Sequence, residues 1–337
     1  MGRDRTGTRD RPFERESAKI MATERAYAGI DLGGTKILAV IVDPEGTVLA
    51  SEEQPTLAAE GPESVMARMA DMVRRLIAAS GREVSALGVA TAGTLDPETG
   101  TVLFAGNLGW TRVPLGQTLE RELGLKVRVE NDANAAAYGE WKAGAGRGTR
   151  HCVFVTVSTG IGGGLICDGR LVRGLTASAG EIGHITIDWN GPVCGCGNVG
   201  CMELYASGTA IGKAGSAAAA ADPAAGRAML DLAGGEASRI TSREVAAAAA
   251  GGDPLASKLL RDAGRALGVG LASVVHLANP ELIILGGGAS KIGAPLLQPM
   301  EEALRRHVIP SLGENVRIVP PQLGVPAGAI GAALITE

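Results

Sequence analysis

The chain has 337 residues, 45% hydrophobic and 20% charged, so it is long enough for about two folded domains and too apolar to be disordered throughout. Lysine and arginine number 32 against 36 acidic residues, and the net charge of -4 argues against a protein that mainly holds nucleic acid. The 50 glycines predict many places where one backbone segment closely approaches another segment or a ligand.

The beginning of the chain and its cysteines indicate the cellular compartment. Residues 1–25 lack the apolar core of a signal peptide, and we expect them to form a disordered extension, with Met21 as an alternative start. No run of about 18 or more apolar residues is present, so the sequence predicts no membrane span and a cytoplasmic protein. Five cysteines without a signal peptide argue against a disulfide framework, and three of them fall between positions 194 and 201, which indicates metal binding.

The first predicted elements form a β-hairpin with a glycine-rich bend. The segment 27–42 is mainly apolar and is interrupted by D-L-G-G-T-K at 31–36, and a turn near Gly46 leads into another apolar segment at 48–50. Apolar residues at helical spacing then predict a helix over 65–79, and 86–90 predicts a buried strand. This order of elements is typical of a βαβ unit.

The same pattern recurs later in the chain. A short strand is predicted at 127–129, a helix at 133–142, and a second hairpin from 152–157 and 163–167 around another glycine-rich bend. Beyond it we predict alanine-rich helices between 210 and 267, a strand at 282–285 and a closing helix at 326–335. The recurrence predicts two similar α/β domains that face each other, with ligands at the carboxyl ends of the strands.

Both glycine-rich bends have the composition of phosphate-binding loops. In the first, Gly33 and Gly34 permit a tight bend, Thr35 offers a hydroxyl and an amide to a phosphate, and Asp31 is placed to hold Mg²⁺. Taken alone, this bend is also compatible with an ordinary tight hairpin. The second bend, T-V-S-T-G-I-G-G-G at 156–164, makes the phosphate interpretation stronger, and neither bend is a Walker A loop or a dinucleotide fingerprint.

Asp132 has two interpretations. It follows the strand 127–129 and precedes a helix, so it is a candidate for the helix N-cap. It is also placed at a strand end, where a general base would face a cleft. The segment alone favours the cap, and the presence of two phosphate-type bends favours the base.

The most specific pattern is a histidine followed by three cysteines. His184 precedes Cys194, Cys196 and Cys201, and one imidazole with three thiolates completes a tetrahedral zinc site. Four protein ligands leave no open position, so the metal would be structural. The alternative is three buried free cysteines, which a glycine-rich loop has few apolar residues to bury. Cys152 and Cys167 lie in predicted strands and are expected to be core residues.

These segments resemble the ROK family of sugar kinases and repressors, over roughly residues 26–337. The resemblance rests on five motifs in family order. They are D-L-G-G-T-K at 31–36, E-N-D-A-N at 130–134, S-T-G-I-G-G-G at 158–164, G-E-I-G-H at 180–184 with C-G-C-G-N-V-G-C-M-E at 194–203, and L-G-G-G at 285–288. No basic helix-turn-helix is predicted before Tyr27, which disfavours the repressor branch.

The resemblance implies an actin-like ATPase fold, which is ribonuclease H-like, with two similar α/β domains around a cleft. We expect a small domain of residues 26–132 with 324–337, and a large domain of residues 133–323 that includes the zinc-binding loop. The implied activity is ATP-dependent phosphorylation of a hexose, with glucose as the first candidate. ATP, Mg²⁺ and a structural Zn²⁺ are the implied cofactors, and a homodimer or homotetramer without nucleic-acid or membrane partners is the implied assembly.

The resemblance also implies roles for individual residues, with Asp132 as the catalytic base. The implied sugar-binding residues are Gly93, Asn107, Asn131, Asp132, Glu181, His184 and Glu203. The implied ATP- and phosphate-binding residues are Asp31, Gly33, Gly34, Thr35, Lys36, Thr159, Gly160, Gly162, Gly286, Gly287 and Gly288. The implied metal ligands are His184, Cys194, Cys196 and Cys201.

Three alternatives remain open at this stage. The substrate can be another hexose, such as fructose or N-acetylmannosamine, and polyphosphate can replace ATP as the donor. The chain can instead be a sugar-sensing regulator without catalytic activity, which an intact Asp132 and two phosphate-type bends argue against. An actin-like or chaperone-like ATPase with a protein partner would have no evident use for Glu181, Glu203 and the cysteine loop.

Overall fold

The computed structural model describes residues 25–337. Its strands are β1 Arg25–Leu32, β2 Lys36–Val42, β3 Val48–Pro55, β4 Glu83–Thr91, β5 Thr94–Asp96, β6 Thr101–Ala105, β7 Trp110–Val113, β8 Lys126–Asn131, β9 Cys152–Val157, β10 Ile161–Cys167, β11 Arg170–Leu171, β12 Leu282–Gly286 and β13 Arg317–Val319. Its α-helices are α1 Pro62–Ser80, α2 Leu115–Leu123, α3 Asp132–Ala143, α4 Glu203–Ala206, α5 Gly208–Ala221, α6 Arg227–Leu232, α7 Ser242–Ala250, α8 Pro254–Ala278, α9 Ala294–His307, α10 Pro310–Gly313 and α11 Ala327–Leu334.

The predicted hairpins, the βαβ unit and the closing helix are confirmed, with ends that differ by a few residues. The extension predicted for residues 1–25 lies outside the described residues, except for Arg25, which begins β1. Within the described part of the chain, no helix combines the length and apolarity that a membrane span requires.

Two five-stranded sheets share one topology. The first has the order β3-β2-β1-β4-β8 and the second the order β11-β10-β9-β12-β13. In each sheet, antiparallel pairing joins the first three strands in the chain, and the last two strands run parallel to the first. The repeat therefore confirms two similar α/β units, while the domain boundaries at 132 and 323 stay predictions.

A third, three-stranded sheet in the order β5-β6-β7 was not predicted. Its strands are only three to five residues long, too short for a clear alternation of apolar and polar residues. Gly93 precedes β5, and Asn107 lies in the turn between β6 and β7. This small sheet therefore positions two of the predicted sugar-binding residues.

Helix α11 packs closely against the first sheet and against helix α3. A methyl group on Gly88 of β4 would lie 1.7 Å from the carbonyl oxygen of Ala332, and one on Gly331 would lie 1.7 Å from that of Ala135. Neither position has room for a side chain, so glycine is required for the backbones to touch. The close approach places the start of helix α11 beside the end of β1.

Two segments connect the part of the chain that contains the first sheet with the part that contains the second. Helix α3 leads from β8 to β9, and residues 320–326 lead from β13 back to helix α11, which packs on the first sheet. The buried carboxylate of Glu140, in helix α3, accepts hydrogen bonds from the backbone N–H groups of Gln322 at 3.0 Å and Leu323 at 2.8 Å. It also accepts one from Ala145 at 2.9 Å. A single carboxylate thus ties the two connecting segments together through charge-assisted hydrogen bonds.

We expect Glu140→Ala to lower the free energy of unfolding by about 3 kcal/mol, because three backbone N–H groups lose their acceptor. Urea unfolding followed by circular dichroism measures the loss. Glu302→Ala, on the exposed surface of helix α9, is the matched control and should change stability by less than about 0.5 kcal/mol. Equal losses in the two variants would contradict the role assigned to Glu140.

Candidate active site

Three adjoining cavities lie at the carboxyl ends of the strands. The cleft cavity, of about 740 Å³, is lined by Asp31, Asp132, Thr156 and residues 286–288. The hydroxyl-rich cavity, of about 810 Å³, is lined by many serine and threonine side chains together with three cations, Lys213, Arg243 and Lys291. The small cavity, of about 190 Å³, is lined by Gly93, Asn131, Asp132, Gly162, Gly163, Ala177, Ala179, Gly180 and Glu181, with Ala133.

Shared residues join these cavities into one path. Asp132 lines both the small cavity and the cleft cavity, whereas Gly288 and Lys291 line both the cleft cavity and the hydroxyl-rich cavity. Asp132 therefore stands where the smallest cavity opens into the cleft. A group bound in either cavity would face the same carboxylate.

The helix N-cap beside this junction is Asn131 and not Asp132. The side-chain oxygen of Asn131 accepts hydrogen bonds from the backbone N–H groups of Ala133 at 2.9 Å and Asn134 at 3.1 Å. Asp132 is the first residue of helix α3, and its Oδ1 accepts from the N–H of Ala133 at 2.9 Å. Asparagine and aspartate are both strong caps, so the sequence left the position uncertain by one residue. Helix capping therefore does not explain why an aspartate occupies position 132.

Asp31 and Asp132 are both in environments that disfavour ionisation. Burial and, to a smaller extent, the negative charge of Asp132 together raise the pKa of Asp31 to about 6, against the opposing effect of Lys36. Although Asp132 is open to the cleft, loss of bulk solvent raises the pKa of its carboxyl, and the N–H of Ala133 opposes this rise. Two carboxylates in one cavity create a site that favours cations.

The first glycine-rich bend is a tight turn, and the side chain of its lysine pairs with Glu53. The N–H of Gly33 donates to the carbonyl of Lys36 at 2.9 Å, and the Thr56 hydroxyl donates to the carbonyl of Gly33 at 2.6 Å. The ammonium of Lys36 is 2.8 Å from the carboxylate of Glu53. The backbone of Asn107 lies against this bend. A methyl group on Gly34 would lie 2.9 Å from the carbonyl oxygen of Asn107.

The second glycine-rich bend is held by a carboxylate from a distant segment. The N–H of Ser158 donates to the carbonyl of Gly160 at 2.8 Å and closes the turn. The N–H of Ile161 donates to Oε2 of Glu203 at 2.7 Å. Glu203 thus lies against this turn rather than among the residues that line the small cavity.

The structure brings together only part of the predicted set. Gly93, Asn131, Asp132, Gly162 and Glu181 line the small cavity, Asp31 with residues 286–288 lines the cleft cavity, and Thr159 lines the hydroxyl-rich cavity. The predicted sugar- and phosphate-binding residues that line none of these cavities are Gly33, Gly34, Thr35, Lys36, Asn107, Gly160, His184 and Glu203. Sequence reasoning missed Lys213 and Lys291, which lie outside the quoted motifs, and it assigned no role to Thr156 and Gly163 within the second glycine-rich bend. It also missed Gly180, which belongs to G-E-I-G-H, and Ala177 and Ala179, which only their closeness to that motif could have indicated.

The histidine and cysteine cluster is formed as predicted. One ligand atom from each of His184, Cys194, Cys196 and Cys201 lies within 4.8 Å of all the others. The sulfurs of Cys196 and Cys201 are 3.7 Å apart, as is Nδ1 of His184 from the sulfur of Cys194. Two sulfurs at about 2.3 Å from a tetrahedral Zn²⁺ would be separated by about 3.8 Å, so the donor set and its spacing fit zinc.

His184 lies between the cysteine cluster and Glu181. Its Nδ1 faces Cys194, while its Nε2 is 3.8 Å from Oε2 of Glu181. A metal on Nδ1 would leave the proton on Nε2, which would then be a donor on the side of Glu181. Burial and the neighbouring thiols raise the pKa of Cys201 to about 12, whereas the N–H of Asn198 lowers the pKa of Cys196.

Comparison with known proteins places this site in a family. The family profile described as the ROK family matches residues 27–337. The chain belongs to the ROK family. A glucokinase of Streptomyces coelicolor is 40% identical over 309 residues, which are 90% of this chain and 95% of the relative. A xylose repressor of Bacillus spizizenii is 30% identical over 310 residues, which are 91% of this chain and 76% of the repressor.

Solved structures of ROK proteins confirm the actin-like ATPase fold. A ROK family glucokinase from Streptomyces griseus, in complex with glucose and AMPPNP, has a TM-score of 0.77 and 38% identity and covers 92% of this chain and 98% of its own. A ROK hexokinase from Thermus thermophilus has a TM-score of 0.81 and 36% identity, covering 92% and 97%. The predicted family and fold are therefore both confirmed.

Purified protein is expected to contain about one zinc ion per chain, because the four donors fill a tetrahedral shell. Elemental analysis measures the metal. Cys201→Ser should lower the zinc content below about half an equivalent, since a hydroxyl replaces a thiolate. Cys167→Ser is the matched control, because Cys167 lies outside the cluster and is exposed, so that the prediction of a core position was wrong for this cysteine. A full equivalent of zinc in Cys201→Ser would argue against the assigned ligands.

Proposed function

We propose that this ROK protein is an ATP-dependent hexose kinase. Glucose is the leading candidate for its substrate, and glucose 6-phosphate would be the product. One observation carries the proposal: Asp132 lines both the small cavity and the cleft cavity. The small cavity has polar groups from Asn131, Asp132 and Glu181 that suit a sugar, and the larger cavity adjoins a glycine turn that suits a nucleotide. The similarity to glucokinases of two Streptomyces species supports the choice of glucose.

Asp132 is the proposed general base. Its carboxylate accepts the proton of the sugar 6-hydroxyl as that oxygen forms a bond to the γ-phosphorus, and the bond from phosphorus to the bridging oxygen of ADP breaks. A carboxylate is basic enough for this step, because the proton leaves late in a loose transition state. The raised pKa of Asp132 increases its basicity. The residue is thus placed and tuned for proton transfer at the junction of the two cavities.

Neighbouring side chains orient the sugar in this proposal. The oxygen of Asn131 is used by the N–H groups of helix α3, so its Nδ2 group is the part that donates to the sugar. Glu181 accepts hydrogen bonds from two hydroxyls, and Nε2 of His184 donates to a third. Gly93, with a φ of 112°, brings its backbone close to the same cavity. For Asn107, His184 and Glu203, which line none of the three cavities, sugar contact stays a prediction that requires them to move toward the sugar.

The nucleotide is assigned to the cleft and hydroxyl-rich cavities. Three segments are proposed to approach its phosphates: the amide-rich turn with Thr159, Gly160 and Gly162, the glycines at 286–288, and the turn with Gly33, Gly34, Thr35 and Lys36. Mg²⁺, when bound, would neutralise charge on the phosphate oxygens, and Asp31 is the residue that would hold it, directly or through water. We further propose a structural Zn²⁺ at the cysteine cluster, a cytoplasmic location and assembly as a homodimer or homotetramer.

The proposed base is tested with Asp132→Asn in an assay of ADP release from Mg-ATP with glucose, fructose, mannose and N-acetylmannosamine. We expect turnover with glucose, and a decrease in kcat of about 10²- to 10⁴-fold in the variant, because amide nitrogen and oxygen cannot take up the proton. Asp253→Asn, the same substitution at the N-cap of helix α8, is the matched control and should keep the parent kcat.

Near-normal turnover in Asp132→Asn would remove it as the base. Strong turnover with another hexose would correct the substrate, and no turnover with any sugar in folded, zinc-containing protein would favour the sugar-sensing regulator.

The pH dependence of kcat/KM for ATP tests the environment of Asp31. Its carboxyl must be ionised to hold a cation, and its pKa is raised to about 6. We therefore expect kcat/KM to fall as the pH decreases through about 6, instead of near the ordinary value of about 3.9, and protonation of Asp132, whose pKa is also raised, adds to the decrease. Circular dichroism at each pH checks that the protein stays folded, and the coupling enzymes are assayed separately. A constant kcat/KM down to pH 5 would contradict this environment.

A further inference from the structure

The loop of residues 173–181 forms one side of the small cavity. Ala177, Ala179, Gly180 and Glu181 all line that cavity. Another part of its lining comes from Asn131 and Asp132, at the start of helix α3. The shape of the cavity therefore depends on how this loop is held relative to the 130–134 segment.

Apolar packing does little to fix this loop. Leu175 is 98% exposed, and its neighbours Thr176 and Ser178 are exposed as well. Ala177 is the buried residue near its tip, and it adopts a left-handed φ of 55° that is unfavourable for a residue with a side chain. An exposed loop with such a backbone needs specific polar contacts to keep one conformation.

Those contacts converge on Glu130, a residue of the E-N-D-A-N segment that has no role in the proposed mechanism. Its side chain is 3% exposed, and its Oε2 accepts a hydrogen bond from Nε of Arg173 at 2.6 Å. Its Oε1 accepts from the backbone N–H of Asn131 and from Nδ2 of Asn134, both at 3.2 Å. One buried carboxylate thus contacts the base of the loop and the residue beside Asp132.

The same network reaches the tip of the loop. Nδ2 of Asn134 also lies 3.4 Å from the carbonyl oxygen of Ala177, to which it donates. At the base of the loop, the N–H of Ala179 donates to the carbonyl of Arg173 at 3.0 Å. The contact of Glu130 with Arg173 therefore holds the base of the loop, where Arg173 and Ala179 are hydrogen-bonded to each other. The contact of Asn134 with Ala177 holds the residue that has the left-handed φ.

We propose that Glu130 is a positioning residue for the sugar, which holds the 173–181 loop against helix α3 through Arg173 and Asn134. Glu130 does not contact the sugar itself. It determines the distance between the loop and the start of helix α3. The effect on the loop is independent of the activity, whereas the effect on sugar binding rests on the proposed function.

The loop is tested first, in ligand-free protein, by hydrogen–deuterium exchange. In Glu130→Gln, which keeps the side-chain shape and removes the charge, we expect the amides of residues 174–181 to exchange at least about tenfold faster. Arg173→Gln should give the same pattern, and the double variant should be no worse than the more affected single variant. Unchanged exchange in this loop would overturn the proposal.

Glu337→Gln is the matched control. It removes the ion pair between Glu337 and Lys142, which also involves helix α3 but lies away from the small cavity, and it should leave the loop amides unchanged. Thermal unfolding of each variant shows whether it is folded. Glu130→Gln should lower stability less than Arg173→Gln does. It leaves the guanidinium of Arg173 without its partner, and this group is 36% exposed and can be hydrated, whereas Arg173→Gln leaves the charge of Glu130 buried.

Kinetics then test the sugar. For Glu130→Gln we expect the KM for glucose to rise about 10- to 100-fold, with a smaller change in kcat and an unchanged KM for ATP, because the loop lines only the sugar side. Faster loop exchange with an unchanged KM for glucose would reduce Glu130 to a structural role and overturn its role in sugar positioning. Parent protein that turns over no sugar would instead refute the proposed function, and the exchange experiment would still decide the loop contact.

Discussion

The backbone contact between helices α3 and α11 determines where both cleft carboxylates lie. Helix α3 begins with Asp132, and helix α11 packs on β1, which ends beside Asp31. A methyl group on Gly331 would lie 1.7 Å from the carbonyl of Ala135, and one on Gly328 would lie 2.8 Å from Oδ2 of Asp31. A side chain at Gly331 would separate helices α3 and α11, and one at Gly328 would displace the carboxylate of Asp31. The spacing within the cleft is therefore set by small residues far from each other in the chain.

Both ends of helix α3 are tied to other segments by buried carboxylates. At its start, Glu130 contacts Arg173, and near its end Glu140 accepts three backbone N–H groups. A buried carboxylate is costly unless hydrogen bonds replace its water, and in both cases some of those bonds come from a segment distant in the chain. The helix that joins the two sheets is thus fixed at both ends by directional contacts, which hold the geometry of the site in a way that nondirectional apolar packing would not.

The sequence predicted those features whose residues lie close together in the chain. The two glycine-rich bends, the hairpins around them and the zinc-type cluster each lie within about 20 residues, so composition and spacing were informative. The contact of Glu203 with Ile161 spans 42 positions and that of Arg173 with Glu130 spans 43, and no local pattern records them. Lys36 illustrates the same limit, because its pairing with Glu53 depends on the register of β2 and β3.

The charges along the joined cavities are unevenly distributed, and this bears on how a nucleotide would lie. Asp31 and Asp132 place negative charge in the cleft cavity, whereas the hydroxyl-rich cavity is lined by Lys213 and Arg243 with a single acid, Glu244. Lys291 lines both cavities. Lys36 offsets only part of the negative charge of the two carboxylates, since its ammonium is paired with Glu53. A polyanion is attracted to the hydroxyl-rich cavity and repelled near Asp132 unless a cation accompanies it. In the proposed function, the cleft therefore orients the nucleotide, and the terminal phosphate reaches the base only as part of a metal complex.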